Sequence, residues 1–191
     1  MRLLTIFALG AFCAIPTGVR SEDPDTLLPQ SRQTAVSLLQ QLGTKLRTTI
    51  ADNGPEGSVS VCKDFAPLLA GQLSRQTGWR VARVSLRTRN PLLGTPDVWE
   101  QKVLEEFERR LAAGEKPDAL EFAEIVQEPA ARYYRYMKAI PVQPLCLTCH
   151  GAKEQMSPFI LEQLGTEYPH DRATGYSPGQ IRGAVTVKRP L

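Results

Sequence analysis

Apolar residues recur every three to four positions along several stretches of the chain, which is the spacing of an amphipathic helix. Leu38, Leu42, Leu46 and Ile50 predict a helix over residues 31–51, and a run of turn residues ends it. Three further helices are predicted: over residues 65–76, from Pro96 to Gly114, and between Ser157 and Gly165. Asp64, Thr95 and Ser157 are their expected N-caps, and Gly78, Gly114 and Gly165 their expected stops.

Four other stretches alternate in polarity or are rich in β-branched residues, which favours strands. They are residues 79–88, 119–126, 132–142 and 181–189. Strands with helices before and between them predict an α+β domain built around one antiparallel sheet.

The first 21 residues have the layout of a secretory signal peptide. Arg2 precedes an apolar run from Leu3 to Ile15, and Pro16 follows it. The run is shorter than the roughly 20 residues that span a membrane, although an uncleaved N-terminal anchor is the alternative. We therefore predict a signal peptide over residues 1–21 and a single domain over residues 22–191, located in the periplasm without a membrane span.

The composition of the whole chain is typical of an ordinary folded protein, with 42% hydrophobic and 23% charged residues. The net charge of +3 falls to +1 when Arg2 and Arg20 leave with the signal peptide. A nearly neutral domain without a cluster of Lys and Arg gives no reason to expect nucleic acid or anionic lipid as a partner.

The candidate chemistry is the motif Cys-x-x-Cys-His, formed by Cys146, Cys149 and His150. In c-type haem attachment two cysteines bond the porphyrin and the next histidine ligates the iron, and the motif arises by chance on the order of once in a thousand such chains. The alternatives fit less well. A redox dithiol belongs at the start of a helix in a βαβ unit, zinc needs four ligands, and a disulfide leaves His150 unexplained. We predict one covalent haem c with His150 as the proximal ligand.

The residues alone do not decide which side chain is the sixth ligand of the iron. The candidates are Cys62, His170, Met137 and Met156. Met156 is only six residues beyond His150, and Met137 lies in a predicted strand. Cys62 lies near a predicted helix N-terminus, where a thiolate is stabilised. Cys62 and His170 therefore rank equally.

Four segments carry a resemblance to a known family: VCKDFAP, VSLRTRNPLLGTPDVWE, YYRYMKAIPVQPLCLTCHG and YPHDRATGYSPGQIRGAVTV. In this order they extend over nearly all of the predicted domain. The chain resembles a family of single-haem c-type domains of cyanobacteria and proteobacteria, long described as a domain of unknown function. The resemblance implies a PAS-like antiparallel sheet with N-terminal helices and a covalently attached haem. It also implies that Cys62 ligates the iron opposite His150.

Other residues of these segments have two interpretations each. Arg87 and Arg89 either belong to a turn that starts the next helix or pair with haem propionates. Four aromatic residues either line the haem pocket or, as is commoner, belong to the core. They are Trp99, Tyr133, Tyr134 and Tyr136.

These features predict an exported monohaem c-type cytochrome for electron transfer or redox sensing, with an unidentified redox partner protein. The alternative is a haem-based sensor of a gas or of redox state that acts through a separate partner protein, since the 191 residues include no kinase or methyl-accepting region. We expect no enzyme, because the chain has one haem motif and only one further histidine, His170.

Overall fold

The computed structural model describes residues 24–191, so the predicted signal peptide of residues 1–21 lies outside the described residues. Within them, four antiparallel strands form one sheet in the order β1-β4-β3-β2. The strands are β1 (Arg80–Val84), β2 (Glu121–Gln127), β3 (Arg132–Pro141) and β4 (Ile181–Pro190). All four lie within or beside the predicted stretches, although β1 ends at Val84, before the predicted end at residue 88.

Helical segments precede the sheet and separate its strands. They are α1 (Pro24–Asn53), α2 (Ser58–Ser60), α3 (Ala66–Thr77), α4 (Pro91–Gly94), α5 (Val98–Ala112), α6 (Leu147–His150) and α7 (Pro158–Glu167). A π-helical turn, Val61–Phe65, joins α2 to α3. The predicted α+β fold, with helices on an antiparallel sheet and N-terminal helices before it, is confirmed.

The two faces of the sheet are covered by different helices. Consecutive strand residues point to opposite faces, so Tyr136 and Met137 of β3 enter different clusters. Tyr136 packs with Leu38 of α1 and with Val185. Met137 packs with Phe107 of α5 on the other face.

The first helix is longer than predicted, because it begins at Pro24 rather than at residue 31. The apolar side continues backwards through Leu27, which is buried with Ala35 and Leu38. Burial of these roughly two extra turns supplies the stabilisation that the intrinsic propensity of a short helical segment does not.

The predicted caps were partly wrong. Thr95 does not cap α5. Asp97 does, because its side chain accepts from the Glu100 N–H at 2.8 Å while the Glu100 carboxylate accepts from the Asp97 N–H at 2.9 Å. Gly165 lies inside α7, which continues to Glu167. Gly78 ends α3 as predicted, with the left-handed φ of 74° that favours glycine.

Among residues 24–191, none of the helices combines the length and the apolar character that crossing a bilayer requires.

Candidate functional site

The Cys-x-x-Cys-His motif forms a tight helical corner shortly after β3. Cys146 ends a 3₁₀ turn, and Cys149 and His150 lie on α6. Residues three apart share one face of a helix, and Cys146, Cys149 and His150 all line one cavity. The segment between α7 and β4 also fixes this corner, because the Tyr176 N–H donates to the His150 carbonyl at 2.9 Å.

Two hydrogen bonds fix the tautomer of His150. Its Nδ1 lies 2.7 Å from the Ala173 carbonyl oxygen, and because a carbonyl can only accept, Nδ1 carries the proton. The Arg182 Nε–H donates to His150 Nε2 at 3.4 Å, which requires a lone pair on Nε2. Both contacts favour the tautomer whose Nε2 can ligate a metal.

The surroundings also keep this imidazole uncharged. Burial lowers the pKa of His150 well below its usual value, and the guanidinium groups of Arg182 and Arg89 lower it further. The Tyr176 ring packs edge-on against the imidazole, with the ring centres 6.3 Å apart. The neutral imidazole is the form that binds metals.

The thiol of Cys149 is buried against α2. Its Sγ lies 3.2 Å from Ser58 Oγ. The Ser58 hydroxyl donates its single proton to the Pro55 carbonyl at 2.5 Å, so Cys149 is the donor to Ser58. Burial raises the pKa of the Cys149 thiol, and the side chain is therefore a neutral thiol in the haem-free chain.

Cys62 lies in the π-helical turn and lines the same cavity as the motif. The predicted helix start at this point, with Asp64 as the N-cap, was wrong, because the backbone is helical from Ser58 to Thr77. Cys62 therefore lies inside a helical run and not at a helix N-terminus, where its thiolate was expected to be stabilised. A π-helical turn is a rare feature that is frequent at functional sites.

The structure separates Cys62 from the other candidates for the sixth ligand. His170 lies in an exposed turn. Met137 is fully buried against α5, and Met156 is buried in a small cluster with Cys149. The residues that line the cavity include Cys62 but not His170, Met137 or Met156. The ligand role of Cys62 stays a prediction, now with a geometric reason behind it.

The cavity that Cys62, Cys146, Cys149 and His150 line is called the Cys–His cavity below. Its apolar wall is the C-terminal half of α1. Four residues form this wall: Leu39, Leu42, Leu46 and Ile50. The cavity holds about 210 Å³, less than the roughly 300–1,000 Å³ of a pocket that encloses a whole small ligand. It therefore has room for part of a large flat ligand rather than for all of it.

Every charged residue that lines the Cys–His cavity is cationic: Lys63, Arg83, Arg89 and Arg182. Lys63 pairs with Glu167, and Arg89 pairs with Asp171. Across residues 25–191, neither Arg83 nor Arg182 forms an ion pair. Neither arginine stands out in the sequence, because an isolated arginine in a strand does not reveal what it faces.

The arginines of the RTRNP segment are occupied within the protein. Buried Arg89 donates to Asp171 at 3.1 Å and also to the Cys149 carbonyl. Arg87 donates to the Thr174 carbonyl and stacks on Tyr176, 4.2 Å from the ring centre. The segment therefore contains the predicted turn and also ties the 171–176 segment to the Cys-x-x-Cys-His corner.

The aromatic residues singled out in the sequence lie outside the lining of the Cys–His cavity. Tyr134 and Tyr136 belong to the core under α1, and Trp99 packs against Phe122. Tyr168, which the sequence did not single out, does line the cavity. Burial raises the pKa of its phenol to about 12, so the hydroxyl keeps its proton at neutral pH.

The structure describes three of the cysteines and their surroundings. Cys62, Cys146 and Cys149 are free thiols there. Residues 24–191 contain no group of three or more His, Cys, Asp or Glu side chains arranged to hold a metal ion.

Comparison with known proteins gives a family and a solved structure. The profile of the Tll0287-like family matches residues 24–190. The crystal structure of the cyanobacterial heme-protein Tll0287 superposes with a TM-score of 0.63 and 26% identity, covering 89% of this chain and 98% of that one. No curated protein sequence matched.

Proposed function

This chain belongs to the Tll0287-like family, and from that premise we propose that it is an exported monohaem c-type cytochrome that transfers electrons or senses redox state. The observation that carries the proposal is the meeting of Cys146, Cys149 and His150 with Cys62 at one apolar cavity. The solved relative is a haem protein, which supports the same cofactor here. The proposal is of a carrier or sensor, not of an enzyme.

The residues of the Cys–His cavity fit a haem in three respects. Two thiols and an imidazole stand at the spacing of c-type attachment. His150 is in the Nδ1–H tautomer, which leaves Nε2 for iron. Apolar side chains of α1 form the wall that a macrocycle needs.

Bound haem supplies an iron that gains and loses one electron. The chain's own residues then have separate tasks. Cys146 and Cys149 would hold the porphyrin, His150 would ligate the iron while its Nδ1–H stays bonded to the Ala173 carbonyl, and Cys62 would supply a second ligand. A thiolate ligand donates electron density, favours ferric iron and so lowers the reduction potential.

The attachment is tested by expressing the full chain together with a c-type haem attachment system and extracting it with acid acetone. The parent should keep its haem in the protein fraction, and the double variant Cys146→Ala/Cys149→Ala should release it, because both thioether bonds are then absent. Cys13→Ala is the control, since Cys13 lies in the predicted signal peptide. Retention of haem by the double variant at the level of the parent would refute attachment through this motif.

The sixth ligand is tested by absorption and electron paramagnetic resonance spectra of ferric parent and Cys62→Ser. A low-spin thiolate signature that is lost in Cys62→Ser supports ligation by Cys62. His170→Ala is the matched control and should leave the spectra unchanged. Unchanged spectra in Cys62→Ser would remove this residue from the proposal.

The π-helical turn that holds Cys62 favours a second candidate, a sensor of redox state or of a diatomic gas. Such turns are rarely long and often mark functional positions, which suits a ligand that is released on reduction. Carbon monoxide binding to the ferrous protein distinguishes the two. Rapid binding, at a rate that Cys62→Ser does not raise, supports the sensor, whereas resistance to carbon monoxide supports the carrier.

A further inference from the structure

Arg182 donates a hydrogen bond to His150 Nε2, the nitrogen that the iron of the proposed cofactor would need. Its Nε–H donates to His150 Nε2 at 3.4 Å, and its Nη1 donates to Ser85 Oγ at 3.0 Å and to the Arg87 carbonyl at 3.1 Å. A nitrogen lone pair accepts one strong partner, a proton donor or a metal ion. Arg182 and iron therefore compete for His150 Nε2.

When iron takes this nitrogen, the partly buried guanidinium of Arg182 needs another partner. Across residues 25–191, Arg182 forms no ion pair with a carboxylate. Once the bond to His150 is broken, the Nε–H loses the acceptor that the structure gives it. A buried donor without an acceptor is costly, so a ligand that binds there gains by supplying an anionic oxygen.

Arg83 presents a second cation to the same space. It lies opposite Val185 in the pairing of β1 with β4, and Val81 and Val185 belong to the cluster under α1. Alternation along the strand thus places Arg83 on the face that α1 covers. Like Arg182 it lines the cavity, whose lining includes no carboxylate.

We propose that Arg182 exchanges partners when the cofactor binds: its guanidinium leaves His150 Nε2 and pairs with one carboxylate of the haem, while Arg83 pairs with the other. This inference rests on the proposed function and adds the recognition of the two propionate groups to it. Arginine binds carboxylates through paired hydrogen bonds, so the two residues select a dianionic porphyrin. In the haem-free chain, Arg182 keeps the iron-binding nitrogen in the correct tautomer as a positioning residue.

The test compares two probes, ferric protoporphyrin IX and its dimethyl ester, in titrations of the full haem-free chain followed by the Soret band. The variants are Arg83→Gln, Arg182→Gln and Arg182→Lys. Arg109→Gln, which removes an exposed cation of α5, is the matched control.

The parent should bind the diacid at least about tenfold more tightly than the diester, as charge-assisted pairs predict. Arg83→Gln and Arg182→Gln should each weaken the binding of the diacid about tenfold, and Arg83→Gln should leave the binding of the diester unchanged. In Arg182→Gln the diester should bind as tightly as before or more tightly, since His150 Nε2 has lost its competitor. Arg182→Lys should restore part of the preference, and Arg109→Gln should behave as the parent does.

Equal weakening of both probes in Arg182→Gln would assign it a purely structural role and overturn the inference. Equal affinity of the parent for the two probes would overturn the inference and leave the haem proposal standing. Failure of the parent to bind either probe would overturn the inference, while the acid-acetone extraction decides the haem proposal separately.

Discussion

The two halves of α1 have the same apolar stripe but different surroundings. In the N-terminal half, Leu27 and Leu38 are buried against the sheet and α3. In the C-terminal half, Leu42, Leu46 and Ile50 are partly exposed and line the Cys–His cavity. The N-terminal half therefore completes the core of the protein, and the C-terminal half forms a wall of the Cys–His cavity. An apolar stripe in a sequence does not distinguish these two roles.

The largest expected effect comes from the same truncation in each half. Leu38→Ala should lower the free energy of unfolding of the haem-free chain by about 2–5 kcal/mol, because it leaves a cavity in a packed core. Leu46→Ala should cost about 1 kcal/mol or less, because its side chain already borders open space. Urea denaturation of both variants and the parent measures the difference.

The same two variants can also be compared in the haem-loaded protein. Leu46→Ala should become more costly in the haem-loaded protein, since the cofactor then packs against this wall, while the cost of Leu38→Ala should not change. Equal costs for the two variants in the haem-free chain would show that the two halves of α1 are packed alike.

A smaller loss of stability is expected for Gly183→Ala, at the point where the sheet borders the Cys–His cavity. A Cβ added at Gly183 would lie 2.3 Å from the Val84 carbonyl oxygen and 3.0 Å from Ser85 Cβ, so Gly183→Ala must push β1 away from β4. Overpacking of this kind costs about 1–3 kcal/mol. Denaturant unfolding of the haem-free chain measures it.

Gly165→Ala is the control for the glycine substitution. Gly165 lies within α7, and an added Cβ would meet nothing within 4 Å. The substitution should be stabilising by about 0.5–1 kcal/mol, the helix propensity of alanine over glycine. A Gly183→Ala variant as stable as the parent would show that β1 gives way freely at this edge.

The sequence predicted most of the fold because its patterns are local. The four strands followed from alternation, and the stop of α3 followed from Gly78. The errors came where two local patterns competed. Thr95 and Asp97 are both good caps, and only Asp97 has Glu100 three residues later to complete a capping box.

The sequence predicted the chemical groups of the site but not its electrostatics. Cys146, Cys149 and His150 are adjacent in the chain, so their spacing alone indicated the cofactor. Arg83 and Arg182 come from different strands and meet only in the folded sheet. The tautomer of His150 likewise depends on Ala173, which is 23 residues away along the chain. Such contacts are set by tertiary packing, which a single sequence does not reveal.

The smallest expected effect concerns the ionic contact that closes the N-terminal half of α1 over the sheet. Arg32 Nε donates to Glu121 Oε2 at 3.0 Å, and the Tyr136 hydroxyl donates to the same oxygen at 2.8 Å. The bond from Arg32, with a smaller contribution from Tyr136, lowers the pKa of Glu121 below 4.5. Because the pKa is lower in the folded chain, the carboxylate stabilises the fold above the unfolded pKa of about 4.5, and this contribution is lost as the pH falls through the folded value.

Arg32→Gln should therefore lower the free energy of unfolding near neutral pH by at most about 1 kcal/mol, since the pair is partly exposed and screened by salt. The difference from the parent should shrink steadily below about pH 4.5, as the carboxyl takes up its proton in both proteins. Urea denaturation at a series of pH values measures it, with Arg109→Gln as a control of equal charge. A deficit that persists undiminished in acid would mean that Arg32 acts through the packing of its aliphatic stem. The contribution of Arg32 to holding the N-terminal half of α1 on the sheet would then be one of packing rather than of charge.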